Sequence, residues 1–491
     1  MLFDFIPAES VNWIFKALIL AYNLLVLITV ISVLLENRPP LKTISWIVVL
    51  VFVPVAGLFF YFILGEGIHK HIKFRKKKRN DAERLREYRR QQMEMMAGNP
   101  KKDIKAIKTK ADLIELSLNL ENSLLFQKNK INVLYNGHET YVELINALKK
   151  AQNHIHFEYY IFEEGDVANE IRKILCQKAE SGVKVRFIYD GVGSFWLSSA
   201  FVNSLRESGV EALPFQPVRF PKPLRDINYR NHRKIVVIDG NIGFIGGINI
   251  SDKYLLPDDK LGFWRDTHLK IEGAAVHGLQ NVFVGDWTFL KKDFVPNISS
   301  LFPPNQVESE CFTQIISSGP DTYFHTLKDV FFAAFARAKK NIHICTPYFM
   351  PDDSILTALK IASLSGVEVK VILPKRSDAK LVGACTRSYI RELLDHGIQV
   401  YLYRPGFIHC KVILIDGLIS SVGTANMDYR SFSENMEVNA IVYDREVYGK
   451  LEAQFGQDIQ DSDLVVAQEW KQRGKLKKAA ESVARLFAPL F

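Results

Sequence analysis

The chain has 491 residues, 48% of them apolar, and a formal net charge of +9. That length exceeds what a single hydrophobic core usually serves, so two or more domains are expected. The positive excess suits an anionic partner, whether nucleic acid, lipid or phosphorylated substrate, without choosing among them. Five scattered cysteines (Cys176, Cys311, Cys345, Cys385, Cys410) with no CxxC spacing argue against a disulfide framework and a zinc site.

Two apolar stretches come first, from about Ala17 to Leu35 and from Trp46 to Leu64. Each approaches the roughly 20 residues that cross a bilayer core. Between them, Glu36 to Ser45 contains Pro39 and Pro40, which predicts a tight turn. Asp4 and Glu9 in the leader do not fit a cleaved signal peptide. The prediction is a two-helix transmembrane hairpin; two buried core helices are the alternative. A basic run from His69 to Arg79 follows, then Lys101, Lys102, Lys105, Lys108 and Lys110, against only Arg38 and Lys42 in the turn. By the positive-inside rule, the N-terminus and everything after the hairpin are cytoplasmic. Such a run also attracts anionic headgroups, at about 1 kcal/mol per basic residue near the surface.

The predicted division is a hairpin over 1–66, a basic linker over 67–125, a first repeat over 126–305, a second over 306–470 and a basic amphipathic tail over 471–491. The repeat is visible in two places. Ser181-Gly182-Val183-Lys184-Val185 matches Ser365-Gly366-Val367-Glu368-Val369, a helix end leading into a strand. Upstream, Ile155-His156-Phe157 matches Ile342-His343-Ile344. Helix-like stretches near 167–180 and 354–364 make these βαβ units, so the fold class is α/β, built twice.

The strongest match carries polar residues. His232, Lys234, Asp239, Gly246 and Asn249 recur as His409, Lys411, Asp416, Gly423 and Asn426, at offsets of two, seven, fourteen and seventeen residues from each histidine. On a strand, residues i and i+2 share a face, so His and Lys project together while Arg233 or Cys410 points away. Asp239-Gly240 and Asp416-Gly417 predict hairpin turns that bring each asparagine back toward its His–Lys pair. Two such half-sites facing one another would gather two histidines, two lysines and two asparagines around one cavity.

That set suits phosphodiester transfer. One imidazole can attack phosphorus and the other can serve as acid and then base. Lys234 and Lys411, helped by Asn249 and Asn426, would hold the phosphoryl oxygens. The chemistry requires no metal or other cofactor. Asp266 and Glu437 are the candidates for orienting each histidine's second nitrogen. Asp239 and Asp416 are counted with the reacting set; a structural task in the turns is their alternative.

These residues resemble the phospholipase D superfamily, whose signature HxKxxxxD followed by G-[ST]-x-N occurs twice. His409 through Asn426 match it fully, with Thr424 in the hydroxyl position. The first copy has Gly247 there, so the two halves are not equivalent. Over nearly its whole length the chain resembles bacterial cardiolipin synthases, through Asn231-His232-Arg233-Lys234-Ile235, Gly246-Gly247-Ile248-Asn249-Ile250, Phe263-Trp264-Arg265-Asp266, Thr346-Pro347-Tyr348-Phe349 and Gly423 through Phe432. The resemblance implies two phospholipase D-like repeats facing one another. It implies a metal-free reaction that joins two phosphatidylglycerols and releases glycerol, with His232 as nucleophile. The expected partners are phosphatidylglycerol, other anionic phospholipids and the membrane. A hydrolase or a transferase with another acceptor alcohol would share the site. A nuclease of the superfamily fits less well, because membrane spans are present and a nucleic-acid module is not. The tail from Lys475 mixes basic and apolar residues and would lie on a membrane surface or pack on the domain.

Overall fold

The computed structural model describes residues 8–35, 40–53, 55, 57–58, 61, 111–121, 123–217, 228–257, 259–291, 298–322 and 324–490. The basic run 69–79 and Lys101 to Lys110 lie outside these residues. By contacts the chain divides into two units, one N-terminal and one holding both repeats.

In the N-terminal unit, α1 spans Ala8–Leu35 and α2 spans Pro40–Phe52. Within α1, Phe15–Leu35 is long and apolar enough to cross a membrane, and only 11% of its apolar window is buried. α2 opens on Pro40, where proline's missing N–H costs no helical hydrogen bond. The turn expected through Ser45 therefore ends earlier. Of the second expected span, the helix is described to Phe52, and much of the remainder lies outside the described residues. Val33, Leu50, Leu58 and Tyr61 form a small apolar cluster, with Trp46 edge-on to Tyr61 at 5.3 Å.

The larger unit opens with α3 (Ala111–Glu121), then β1 (Leu125–Tyr135), α4 (Asn136–Lys150), β2 (His154–Tyr159), α5 (Asp166–Glu180) and β3 (Lys184–Asp190). There follow α6 (Ser199–Glu207), β4 (Glu211–Phe215), β5 (Lys234–Ile238), β6 (Ile242–Gly246), β7 (Phe263–Arg265), β8 (Thr267–Gly273) and α7 (Val276–Lys291). The second repeat begins with β9 (Cys311–Ser318), α8 (Thr326–Ala336), β10 (Asn341–Cys345), β11 (Phe349–Met350), α9 (Asp353–Leu364), β12 (Glu368–Pro374) and α10 (Lys380–Asp395). It continues through β13 (Gln399–Tyr403), β14 (Gly406–Ile408), β15 (Val412–Ile415), β16 (Ile419–Gly423), β17 (Met427–Asp428), α11 (Tyr429–Ser433), β18 (Glu437–Tyr443) and α12 (Arg445–Gln460). β19 (Ser462–Leu464), α13 (Ala467–Gln472) and α14 (Lys475–Arg485) close it.

One sheet of fifteen strands runs through both repeats, in the order β19-β13-β12-β10-β15-β16-β18-β9-β1-β8-β6-β5-β2-β3-β4. Read outward from the central antiparallel pair β1 and β9, the two halves carry the same succession, with β19 added at the outer edge of the second. The expected βαβ units are present: β2 pairs parallel with β3, and β10 with β12. Their strands are buried along almost their whole length, as parallel strands covered on both faces must be. One part of the expected linker belongs to the core instead: α3 buries Leu113 and Ile114 among second-repeat residues such as Leu327 and Phe331. The C-terminal helix α14 packs on α10, with Glu481 and Ala484 buried and Arg485 paired to Glu392 at 2.8 Å.

Candidate active site

Each repeat places its His–Lys pair at the entrance to a buried hairpin. Ile235–Ile238 of β5 and Val412–Ile415 of β15 are branched apolar residues that fill the core, so the His–Lys residues just before them are held at the end of the strand. Each hairpin turns at an Asp-Gly pair with positive φ at both residues (52° and 69° in the first, 58° and 73° in the second), as a type I′ turn requires. The aspartates have a further task. Asp239 accepts from the backbone N–H groups of Gln152, Asn153 and His154 at 2.7–2.9 Å. Asp416 accepts from those of Lys339 and Lys340 at 2.9 and 2.8 Å. These bonds tie each hairpin to the loop entering β2 or β10, about 23 Å from the histidine at about 3.3 Å per residue along the strand. The structure does not bring Asp239 and Asp416 to the cavity, which corrects their inclusion among the reacting groups.

The other expected residues do converge, and they cross between repeats. The His232 Nδ1 lies 2.9 and 3.0 Å from the two oxygens of Glu437, from the second repeat. The His409 Nδ1 lies 2.8 Å from Asp266 Oδ2, from the first. An ionised carboxylate only accepts, so each Nδ1 carries the proton and each Nε2 is left as the basic nitrogen. Backbone bonds enforce the crossing. The His232 N–H donates to Met436 O and the Met436 N–H to Arg230 O, while the His409 N–H donates to Arg265 O beside the parallel pair β7–β14. Asp266 and Glu437 are equivalent by register: each stands two residues before the partner of the hairpin's final glycine, His268 for Gly246 and Asn439 for Gly423.

Thr424 is fully buried and donates its hydroxyl to Glu437 Oε2 at 2.5 Å. It steadies a carboxylate that already orients a histidine. Glu437 and Asp266 stand at the second nitrogens of the histidines, where they were expected, and Thr424 acts through Glu437. Gly247 also has an explanation: a Cβ there would stand 2.3 Å from Asp266 Oδ1. Arg233 and Cys410 point away as expected. Arg233 ion-pairs with Asp286 in the core, and Cys410 is buried.

Lys234 and Lys411 each donate to the carbonyl of the histidine two residues earlier, at 2.8 and 2.5 Å. Lys411 Nζ also stands 3.1 Å from the His409 Nε2. Burial, together with the neighbouring Lys411, pushes the Lys234 ammonium down to about 7. Burial also pushes His232 and His409 down to about 4; Lys234 and Lys411 add to this, and the carboxylates oppose it. Burial alone would raise the Glu437 carboxyl, but His232, Lys234 and Thr424 hold it below its usual range. Each histidine feels the lysine of the other repeat, as expected of one shared site.

Asn249 and Asn426 are both buried, with different partners. Asn249 donates to the Tyr254 hydroxyl at 3.2 Å and accepts from the Ile161 N–H at 3.3 Å. The side-chain oxygen of Asn426 has no hydrogen-bond partner among the described residues. Three aromatic residues escaped the sequence reading. The Tyr254 hydroxyl lies 3.1 Å from the His409 Nδ1, the Trp264 ring lies 5.5 Å from the His409 ring, and Tyr160 stands edge-on to His232 at 4.8 Å. Tyr160 could have been suspected, since it follows directly on the carboxyl end of a parallel strand, where α/β folds place their ligands. Trp264 lies within the Phe263–Asp266 stretch, two residues before Asp266, without a role having been assigned to it. Tyr254 sits in a short turn of helix that no periodicity marks.

A protein-family model described as "Cardiolipin synthase, PLD-like domain" matches residues 144–287 and 331–459, and one described as "Phospholipase_D-nuclease N-terminal" matches 24–66. A cardiolipin synthase of Alkalihalophilus pseudofirmus is 42% identical over 98% of this chain and 95% of its own length. A protein named cardiolipin synthase 2, of Bacillus anthracis, is 42% identical over 93% and 88%. Among solved structures, phosphatidylserine synthase of Haemophilus influenzae superposes with a TM-score of 0.58 at 16% identity, covering 78% of this chain and 98% of that one, which is likeness of fold. With the duplicated His–Lys site and these matches along almost its full length, the chain belongs to the cardiolipin synthase family of phospholipase D-like enzymes.

Proposed function

We propose that this enzyme transfers a phosphatidyl group from one phosphatidylglycerol to the glycerol hydroxyl of another, forming cardiolipin and releasing glycerol. The observation that carries the reading is the crossed pair of imidazoles, each held by a buried carboxylate of the opposite repeat and flanked by a lysine. His232 Nε2 attacks phosphorus, and the bond from phosphorus to the glycerol oxygen breaks. His409 gives that oxygen its proton. The acceptor hydroxyl then returns a proton to His409 as its oxygen displaces His232. Lys234, Lys411 and the two asparagines hold the phosphoryl oxygens.

This order of histidines is supported by their surroundings. Lys411 stands against His409 Nε2, whereas His232 Nε2 has no hydrogen-bond partner among the described residues. Both rings are neutral before substrate arrives, which suits a nucleophile but not an acid. A phosphodiester anion about 4 Å away, at an effective dielectric of about 20, stabilises an imidazolium by about 4 kcal/mol. That is about three pKa units, enough to bring His409 from about 4 to near neutrality. Substrate thus supplies the charge that arms its own acid.

The same reading includes a cell-membrane location, with the N-terminal apolar segments as a two-span hairpin and the catalytic repeats on the cytoplasmic face. External labelling should reach a cysteine placed between Arg38 and Lys42 and miss one near Lys77; the reverse would place the site outside. For the reaction, purified protein with labelled phosphatidylglycerol should yield cardiolipin and glycerol, without added metal and in the presence of a chelator. Phosphatidic acid as the sole product would make the enzyme a hydrolase. Chelator sensitivity reversed by a divalent ion would contradict the mechanism.

A further inference from the structure

The repeats differ sharply in the loop that leaves the second strand of each βαβ unit. After β3 the loop carries Phe195 and Trp196, which are 61% and 82% exposed. After β12 the corresponding loop carries Lys375 and Arg376, and α10 opens on Lys380. With Arg387 from α10 and Lys260 from the first repeat, these line a cavity of about 740 Å3 at the seam between repeats. Its lining holds five cations and a single carboxylate, Asp378. Asp378 is engaged by the Tyr348 hydroxyl at 2.6 Å and the Ala379 N–H at 2.8 Å. Lys375 pairs with Asp463 at 2.7 Å, and the Arg387 Nε lies 3.5 Å from Glu481. Arg376 and Lys380 are exposed and make no salt bridge to a described residue. The cavity therefore has excess positive charge with donors unspent, at a volume ordinary for a ligand site.

Its position is fixed by the sheet. Cys345 of β10 pairs with Ile372 of β12 on one side and with Val412 of β15 on the other, so the end of β12 and the His409–Lys411 segment share one edge. At about 4.8 Å per strand, the loop after β12 begins about 10 Å from that segment. Tyr348 joins the two places: its hydroxyl holds Asp378, and its ring lies 6.4 Å from Phe407, which lies 5.7 Å from His409.

We propose that this cavity binds the phosphodiester of the acceptor phosphatidylglycerol while the donor phosphorus sits between the histidines. The inference rests on the function proposed above. In cardiolipin a single glycerol joins the two phosphates, so the acceptor's phosphate must stand a few bonds from the reacting phosphorus. A cationic cavity one loop away, into which long Arg and Lys side chains reach, meets that need. Water and free glycerol carry no phosphate and gain nothing from it. The subsite therefore favours transfer to a lipid over transfer to small acceptors.

The test uses the full-length protein with phosphatidylglycerol vesicles and labelled free glycerol. The phosphatidyl-enzyme partitions between lipid acceptor, giving cardiolipin, and glycerol, giving labelled phosphatidylglycerol. Both products arise from one intermediate, so donor-side losses cancel in their ratio. For the double variant Arg376→Glu and Lys380→Glu, the ratio of cardiolipin to labelled phosphatidylglycerol should fall about tenfold. Arg376→Lys with Lys380→Arg should restore it. If the Glu variant lost its fold, the pair Arg376→Gln and Lys380→Gln would carry the same test. A wild-type ratio in the charge-removing variants overturns the subsite. The same ratio, with inorganic phosphate bound by wild type and not by the variant, assigns the cavity to free phosphate instead. Wild-type protein that exchanges glycerol yet makes no cardiolipin overturns the reading of function, and the subsite with it.

Discussion

In one half-site a threonine and a glutamate steady the imidazole of the opposite repeat; in the other a glycine and an aspartate do. The register is the same in both, so the difference lies in side chains alone. Glutamate is one methylene longer, and Thr424 fixes its outer oxygen. Aspartate is shorter, lies where a threonine Cβ would stand, and takes a hydrogen bond from the Thr267 N–H at 2.7 Å. Duplication has kept the imidazole–carboxylate geometry and exchanged the residues that build it. The exchange also makes the surroundings unequal, with Tyr254, Trp264 and Lys411 crowding His409 and Tyr160 edging His232.

The largest effects belong to the histidines. His232→Ala and His409→Ala should each lower cardiolipin formation by about 10⁴-fold or more, and the double variant should lose little beyond either single one, because the two act as one unit. Additive losses would mean two independent sites. Glu437→Gln and Asp266→Asn come next, at about 10²- to 10⁴-fold in kcat, since an amide can present an N–H to Nδ1 and so favour the wrong tautomer. Unequal losses would show which imidazole depends more on its anchor, and neither changing would remove the orienting role altogether.

Gly247→Ala sharpens the steric half of the comparison. Its Cβ would meet the Asp266 carboxylate, so a loss of about 1–3 kcal/mol in stability is expected from thermal melts. Adding Asp266→Ala should return part of that stability while leaving activity low. Thr424→Ser should retain the bond to Glu437 and stay nearer wild type than Thr424→Ala, which removes it.

The lysines set an alkaline limit. Lys234 has its ammonium pushed down to about 7, so its charge is present below that pH and lost as pH rises through it. Phosphodiester binding should weaken in the same direction, lowering kcat/KM above about pH 7. Lys234→Arg, which stays charged, should move that limb upward; an unmoved limb would detach it from Lys234. The smallest catalytic effect belongs to Asp239→Asn, which should cost about 1–2 kcal/mol of stability and leave kcat within a few-fold, as expected of a carboxylate spent on backbone amides.

Much of this was legible because the chemistry is duplicated. The His–Lys–Asn offsets, the Asp-Gly turns and the βαβ units all rest on local spacing, which a single chain displays. The crossing of carboxylates was not legible, since Asp266 and Glu437 lie at different distances after their motifs and meet their histidines only through pairing between repeats. Asp239 and Asp416 misled through their place in the motif, although the Asp-Gly turns already set them at the far end of the strand from the histidines. α3 read as linker because its apolar face has meaning only against the second repeat, far away in sequence.

The central claim, one shared site with unequal histidines, is tested most directly by trapping the intermediate. With a labelled phosphatidyl donor whose leaving group is p-nitrophenolate, which departs without a proton, His409→Ala should accumulate an acid-labile adduct on His232, because attack no longer needs the acid while the acceptor cannot be deprotonated. His232→Ala should accumulate none. Label on His409 in the His232→Ala protein would reverse the roles, and substantial turnover by either variant would contradict the shared site.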